Sequence, residues 1–134
     1  VGGYAWDRGV EIKTQISPQT LVIGDWDHLC SLLINLLSNG IRHARSEVTV
    51  TAALAEGGAK VRIVVEDDGP GFTPDDLAHA FEYFYSRNRA GSGLGLPIAQ
   101  RIVHEHSGTI RLYNADTGGA AVEVILPAAI EWND

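Results

Sequence analysis

The chain has 134 residues, 45% of them hydrophobic and 20% charged, which suits a single soluble domain with a buried core. No apolar run is long enough to span a bilayer, and no secretory signal stands at the start. The formal net charge of −7 argues against general nucleic-acid binding, which needs a basic footprint, and it repels a free triphosphate unless a cation or a local basic group offsets it.

Residues 1–9 read as a tail or linker remnant, since Gly2 and Gly3 are poor element formers, and the domain is placed at 10–134. Residues 10–16 alternate apolar and polar side chains and predict a half-buried strand. A turn at 17–19 and a short strand at 21–23 follow. Asp25 is placed to cap a long helix ending near Ala44, with Leu29, Leu32, Leu33, Leu36 and Leu37 at helical spacing. Cys30, the single cysteine, lies in that helix and reads as a small apolar filler; alone it excludes an internal disulfide. Residues 47–54 and 61–66 alternate as paired strands, with Glu56-Gly57-Gly58 as their turn. A short helix over 74–80 is capped by Thr73, and 81–92 has no period and reads as a loop. A helix over 94–106 tolerates Pro97 in its first turn, and 109–114 with 120–126 close the chain as a hairpin. The sum is an α/β two-layer sandwich: a mixed β-sheet with helices packed on one face.

Three fragments carry chemistry. Asn35 and Asn39 are four apart and share a helix face, which Arg42 and His43 continue. Such a stripe is either an ordinary polar face or a site in which the Asn39 carbonyl oxygen ligates Mg2+, a cation that wants hard oxygen ligands and shares itself with phosphates. Asp67 ends a strand before Gly69-Pro70-Gly71. That run makes a plain turn; equally, its glycines let backbone approach a flat ligand while the carboxylate accepts from an exocyclic amine such as that of adenine. Asp68 reads as a solvated turn residue. The run 91–96, Gly-Ser-Gly-Leu-Gly-Leu, opens a helix and so offers free N–H groups to phosphates. It matches neither the dinucleotide fingerprint, because Leu96 stands where glycine is needed, nor the P-loop, because no Gly-Lys-Ser/Thr follows. His28, His43, His79, His104 and His106 lack zinc-ligand spacing.

Taken together these pieces resemble the catalytic ATP-binding domain of bacterial sensor histidine kinases, within the GHKL group that includes the Hsp90, MutL and gyrase-type ATPases. Residues 36–44 look like the N box, 65–72 the G1 box, 81–84 the F box and 91–99 the G2 box, in family order. The resemblance implies the GHKL-type fold and a Mg2+ ion held by Asn39, with Asn35 near the phosphates and Arg42 as their basic contact. His43 stands where the family often has tyrosine. It further implies Asp67 on the adenine amine, Gly69 and Gly71 shaping the pocket, Gly93, Leu94, Gly95 and Leu96 closing over the phosphates, and 84–92 as the ATP lid. Departures are Gly40 for the commoner alanine, Tyr83 for the F-box proline, and a short lid.

The implied activity is γ-phosphoryl transfer from ATP to a histidine on a separate dimerisation domain of the same parent protein, with a response regulator downstream. No catalytic residue is assigned here: the acceptor histidine and its base are expected outside this chain, and His104-Glu105 lies in a framework helix. The implied placement is cytoplasmic, in a parent anchored in the bacterial inner membrane, with neither nucleic-acid binding nor membrane insertion by this domain. Alternatives are a GHKL ATPase, a protein serine kinase domain, or a degenerate nucleotide-binding interaction module.

Overall fold

The computed structural model describes residues 2–18, 20–85 and 95–129. Its centre is a five-stranded mixed sheet built from β1 (Glu11–Ile16), β2 (Glu47–Ala55), β3 (Lys60–Asp67), β4 (Thr109–Asn114) and β5 (Ala120–Pro127) in the order β1-β2-β3-β5-β4. Only the β1–β2 pair is parallel; the other three are antiparallel. Helices α1 (Gly2–Arg8), α2 (Trp26–His43), α3 (Pro74–His79) and α4 (Gly95–Glu105), with a 3-10 turn over Glu56–Gly58, complete the described elements. No helix among the described residues is long and apolar enough to cross a membrane.

Alternation along the strands explains the two layers. Val48 and Val50 of β2, Val65 of β3, and Val122, Val124 and Leu126 of β5 join one buried core with Leu32 and Leu36 of α2 and Ala99, Ile102 and Val103 of α4. The intervening residues put Glu123 between Arg62 and Arg111, with nitrogen–oxygen distances of 2.6 and 2.8 Å. Arg111, then burial and Arg62, act on Glu123, and the net effect holds its carboxyl below the usual range.

Helix α2 positions the site. Asp25 is its N-cap, accepting from the His28 N–H at 3.0 Å, and Ala44 is its C-cap. Leu32 and Leu36 are each 1% exposed, while Leu33 at 38% falls off the core face. Gly40 sits over β2 and β3, where an alanine methyl would meet Val48 at 3.4 Å and Val65 at 3.5 Å, ordinary contact distances. The glycine is thus a departure from the family pattern that packing does not demand.

The Thr73 cap of α3 is a full capping box with Asp76. Two expectations need correction, and one segment gains detail. Within the segment read as a tail or linker remnant, Gly2–Arg8 is helical, Ala5 is buried, and an Arg8 guanidinium nitrogen donates to the Arg42 carbonyl at 2.9 Å. Packing on α2 outweighs the low propensity of Gly2 and Gly3. Residues 21–23 form only one bridge, Val22 to Ala128, instead of a strand. Strand β1 is less buried than its alternation implies, because it is an edge strand with mostly exposed residues.

Candidate functional site

A cleft open to solvent lies where the C-terminal half of α2, the loop after β3, and the start of α4 meet. Asn39, Arg42 and His43 line it from α2, Gly71 and Phe72 from the loop, and Gly95, Leu96 and Pro97 from α4. Three segments remote in sequence thus meet in one place.

On the α2 wall, Asn39 is 7% exposed, and its Oδ1 accepts from an Arg42 guanidinium nitrogen at 3.3 Å. A hard, neutral oxygen is therefore already engaged by a cation, as a metal-ligating amide would be. The Nδ1 atom of His43 lies 2.9 Å from the Asn39 backbone carbonyl, so Nδ1 carries the proton and Nε2 is left as the ring's other polar atom. Asn35 is half-buried, donates to the Ser31 hydroxyl at 3.4 Å, and has its Oδ1 3.7 Å from where a Cβ on Gly95 would stand. It is not among the residues lining the cleft, though it adjoins Gly95, which is.

Asp67 ends β3 and is 5% exposed. Its Oδ1 accepts from the Gly69 N–H at 2.9 Å and the Ala120 N–H at 3.3 Å. Its Oδ2 makes no hydrogen bond among the described residues. Burial pushes the carboxyl up, against the pull of the Gly69 and Ala120 amides and of His43. A buried carboxylate with one oxygen fixed by backbone and the other free is built to accept from a ligand.

The glycines of this loop are close-approach positions. A Cβ on Gly69 would stand against the His43 carbonyl oxygen, and Gly71 has φ +83° with the Gly118 carbonyl at 2.5 Å from a Cβ position. Asn114 pins the loop at two points, accepting from the Phe72 N–H at 2.7 Å and donating to the Phe72 carbonyl at 3.0 Å.

Asp68 is no solvated turn residue. It accepts from the N–H groups of Arg45 (2.8 Å), Ser46 (3.0 Å) and Glu47 (3.1 Å) and from the Ser46 hydroxyl (2.7 Å). Burial alone would raise its pKa, but the bonds from Ser46, Glu47 and Arg45 outweigh it and hold the carboxyl at about 2. A depressed carboxylate stabilises the fold above its unfolded pKa of about 3.9, and that contribution is lost as pH falls toward the folded value. The melting temperature of the wild type should therefore exceed that of Asp68→Asn at neutral pH, and the gap should close between about pH 5 and about pH 2. Asp67 titrates with the opposite sign and is present in both proteins, though the Asp68 charge contributes to its rise and Asp68→Asn removes that contribution.

The family described as histidine kinase-, DNA gyrase B-, and HSP90-like ATPase matches residues 24–130. The chain belongs to this ATPase family. It is 35% identical over 128 residues to the sensor-like histidine kinase SenX3 of Mycobacterium tuberculosis (strain ATCC 25618 / H37Rv), covering 91% of this chain and 31% of SenX3. It is 38% identical over 123 residues to the sensor histidine kinase component HK1 of the same strain, covering 89% of this chain and 72% of HK1. Among solved structures, full-length ShkA in complex with AMPPNP superposes with a TM-score of 0.83 at 31% identity, over 96% of this chain and 28% of that one. The chain thus spans under a third of SenX3 and nearly three quarters of HK1. It is an ATP-binding catalytic domain of the sensor histidine kinase type, with the mixed sheet and helices of that fold.

Within this domain, the cleft is lined by Asn39, Arg42, His43, Gly71, Gly95 and Leu96; Asp67 and Gly69 are not among its lining residues, and Asp67 borders it through its bond to the Ala120 N–H. Gly93 and Leu94 lie outside the described residues, as does most of the expected lid. Of the aromatic run, Phe81 packs on the core and Tyr85 donates its hydroxyl to Asp76 Oδ1 at 2.8 Å, while Tyr83 and Phe84 are exposed. His104 is an exposed helix residue; His106 is the framework histidine, its Nε2 accepting from the Asp25 N–H at 3.2 Å. Sequence reasoning missed Asp76, Tyr85 and Ala120 in the cleft wall. For Ala120 no side-chain signal exists, since it acts through its backbone N–H.

Proposed function

We propose that this domain holds Mg2+-ATP and aims its γ-phosphate at a histidine on a separate dimerisation domain of its parent kinase, which then serves a response regulator. The observation that carries the reading is the convergence of Asn39, Arg42 and His43 of α2, the Gly71–Phe72 loop and the start of α4 on one cleft, with the buried Asp67 carboxylate bonded to the N–H of Ala120, which lines it. Asp67 Oδ2 accepts from the adenine amine, and Gly69 and Gly71 let the base approach the backbone. Arg42 offsets phosphate charge, with Asn35 and His43 nearby; Gly95 and Leu96 add backbone N–H groups at the start of α4, and Gly93 and Leu94 are assigned the same phosphate-binding role. Asn39 Oδ1 is the group that fits Mg2+: a single protein oxygen suffices for a cation that keeps several waters and shares phosphate oxygens. When bound, that ion neutralises phosphate charge and fixes phosphate geometry.

Phosphoryl transfer needs positioning and charge neutralisation more than covalent help from the protein, so no general base is required from these residues. In this reading the domain works on the cytoplasmic side of an inner-membrane sensor. The test supplies the chain with γ-labelled ATP and a helical fragment of its parent that bears the acceptor histidine. Acid-labile, base-stable label on that histidine is the expected result. Steady release of inorganic phosphate without any fragment would replace the kinase reading by an ATPase one.

A further inference from the structure

The base end and the metal end of the site stand on different elements. Asp67 closes β3, whereas Asn39, Arg42 and His43 ride on the last turns of α2. Packing of α2 on β2 and β3 around Gly40 sets the distance between the two ends, and hydrogen bonds beyond the strand ends add a second link. The β2–β3 ladder supplies none beyond Val48–Asp67, its last pair. Past that pair, the segment between α2 and β2 is tied to the loop after β3 by Asp68 alone among the described residues: its N–H donates to the Glu47 carbonyl at 3.2 Å, and its carboxylate takes the donors of residues 45 to 47. One residue further on, Gly69 presses against the His43 carbonyl with no room for a Cβ.

Resting on the functional reading above, we propose that Asp68 is a positioning residue that locks the Asn39 end of the nucleotide site to its Asp67 end. Neighbouring residues at a strand end face opposite ways. Asp67 thus serves the ligand while Asp68 holds the connection that leads out of α2. The type of side chain matters. The three amides and one hydroxyl are all donors, and only a carboxylate brings two acceptor oxygens and no donor of its own. An Asn keeps one acceptor for the amides and sets an NH2 against the rest. Loss of a residue that orients a metal-holding group typically costs about 10- to 100-fold in metal affinity, without any contact to the metal.

The experiment compares wild type, Asp68→Ala and Asp68→Asn in three titrations: adenosine, ATP with EDTA, and ATP with Mg2+. Melting curves establish the folded fraction of each protein. The expected result is adenosine affinity within about twofold of wild type, together with about a tenfold fall in the Mg2+ enhancement of ATP binding in Asp68→Ala and a smaller fall in Asp68→Asn. Adenosine and Mg2+-ATP losing affinity in equal proportion would mark plain destabilisation and overturn the proposal, as would an unchanged Mg2+ enhancement in folded Asp68→Ala. Should Asp68→Ala not fold, the same ratio in Asp68→Asn decides. A wild type that binds ATP with no Mg2+ enhancement refutes the functional reading, and the lock falls with it; an intact wild-type enhancement with insensitive variants refutes the lock alone.

Discussion

Asp67→Asn is expected to weaken ATP binding by about 10- to 100-fold and to erase the preference for ATP over GTP, while the domain stays folded. A hydrogen bond to a charged group is worth about 1.5–3 kcal/mol, and about 1.4 kcal/mol is tenfold in affinity. The amide oxygen of Asn can still accept from Gly69 and Ala120, which now bond Oδ1 of Asp67, so the loop keeps its anchors. What changes is the second atom, where a free carboxylate oxygen becomes an NH2 donor facing the donor amine of adenine. A buried donor–donor clash costs more than the lost bond alone. The same carboxyl fixes a pH sign. Because burial pushes it up, acid should begin to weaken ATP binding at a higher pH than an ordinary aspartate would dictate. Calorimetric titration of both nucleotides checks the mutant, and an unchanged ATP affinity would remove Asp67 from the base.

Asn39→Ala is the second large effect, at the other end of the site. It should abolish most of the Mg2+ enhancement of ATP binding, about tenfold or more, and leave adenosine binding almost untouched. The Oδ1 that it deletes is buried and engaged by Arg42, so truncation also frees that guanidinium to pair directly with phosphate. ATP in EDTA should therefore bind the mutant at least as well as it binds the wild type. A Mg2+ enhancement that survives in Asn39→Ala would move the metal to another oxygen.

The contrast between these two variants shows which features were legible in the sequence. The α2 stripe could be read because Asn35, Asn39, Arg42 and His43 follow one another at helical spacing, and the Asp25 cap and the turn at Glu56-Gly57-Gly58 follow from local side-chain chemistry. Periodicity also gave the strands, and hence the layer that buries Leu32 and Leu36. It gave no sign of α1, where two glycines lower helix propensity and contact with α2 accompanies a helix. Asp68 looked like a turn residue because its four donors come from residues 45 to 47, about twenty positions away, in a pairing that only the fold creates. Asn35 lay on the right face but one turn too far back to line the cleft.

The central claim is one site in which a buried carboxylate reads adenine while an α2 amide supports the metal-bound phosphates. Calorimetric titration of the wild-type chain with ATP, in Mg2+ and then in EDTA, with GTP as the control, tests it most directly. The expected outcome is a single ATP per chain, affinity enhanced at least tenfold by Mg2+, and GTP bound at least tenfold more weakly. Failure to bind ATP at millimolar concentration, or equal affinity for ATP and GTP, would contradict it.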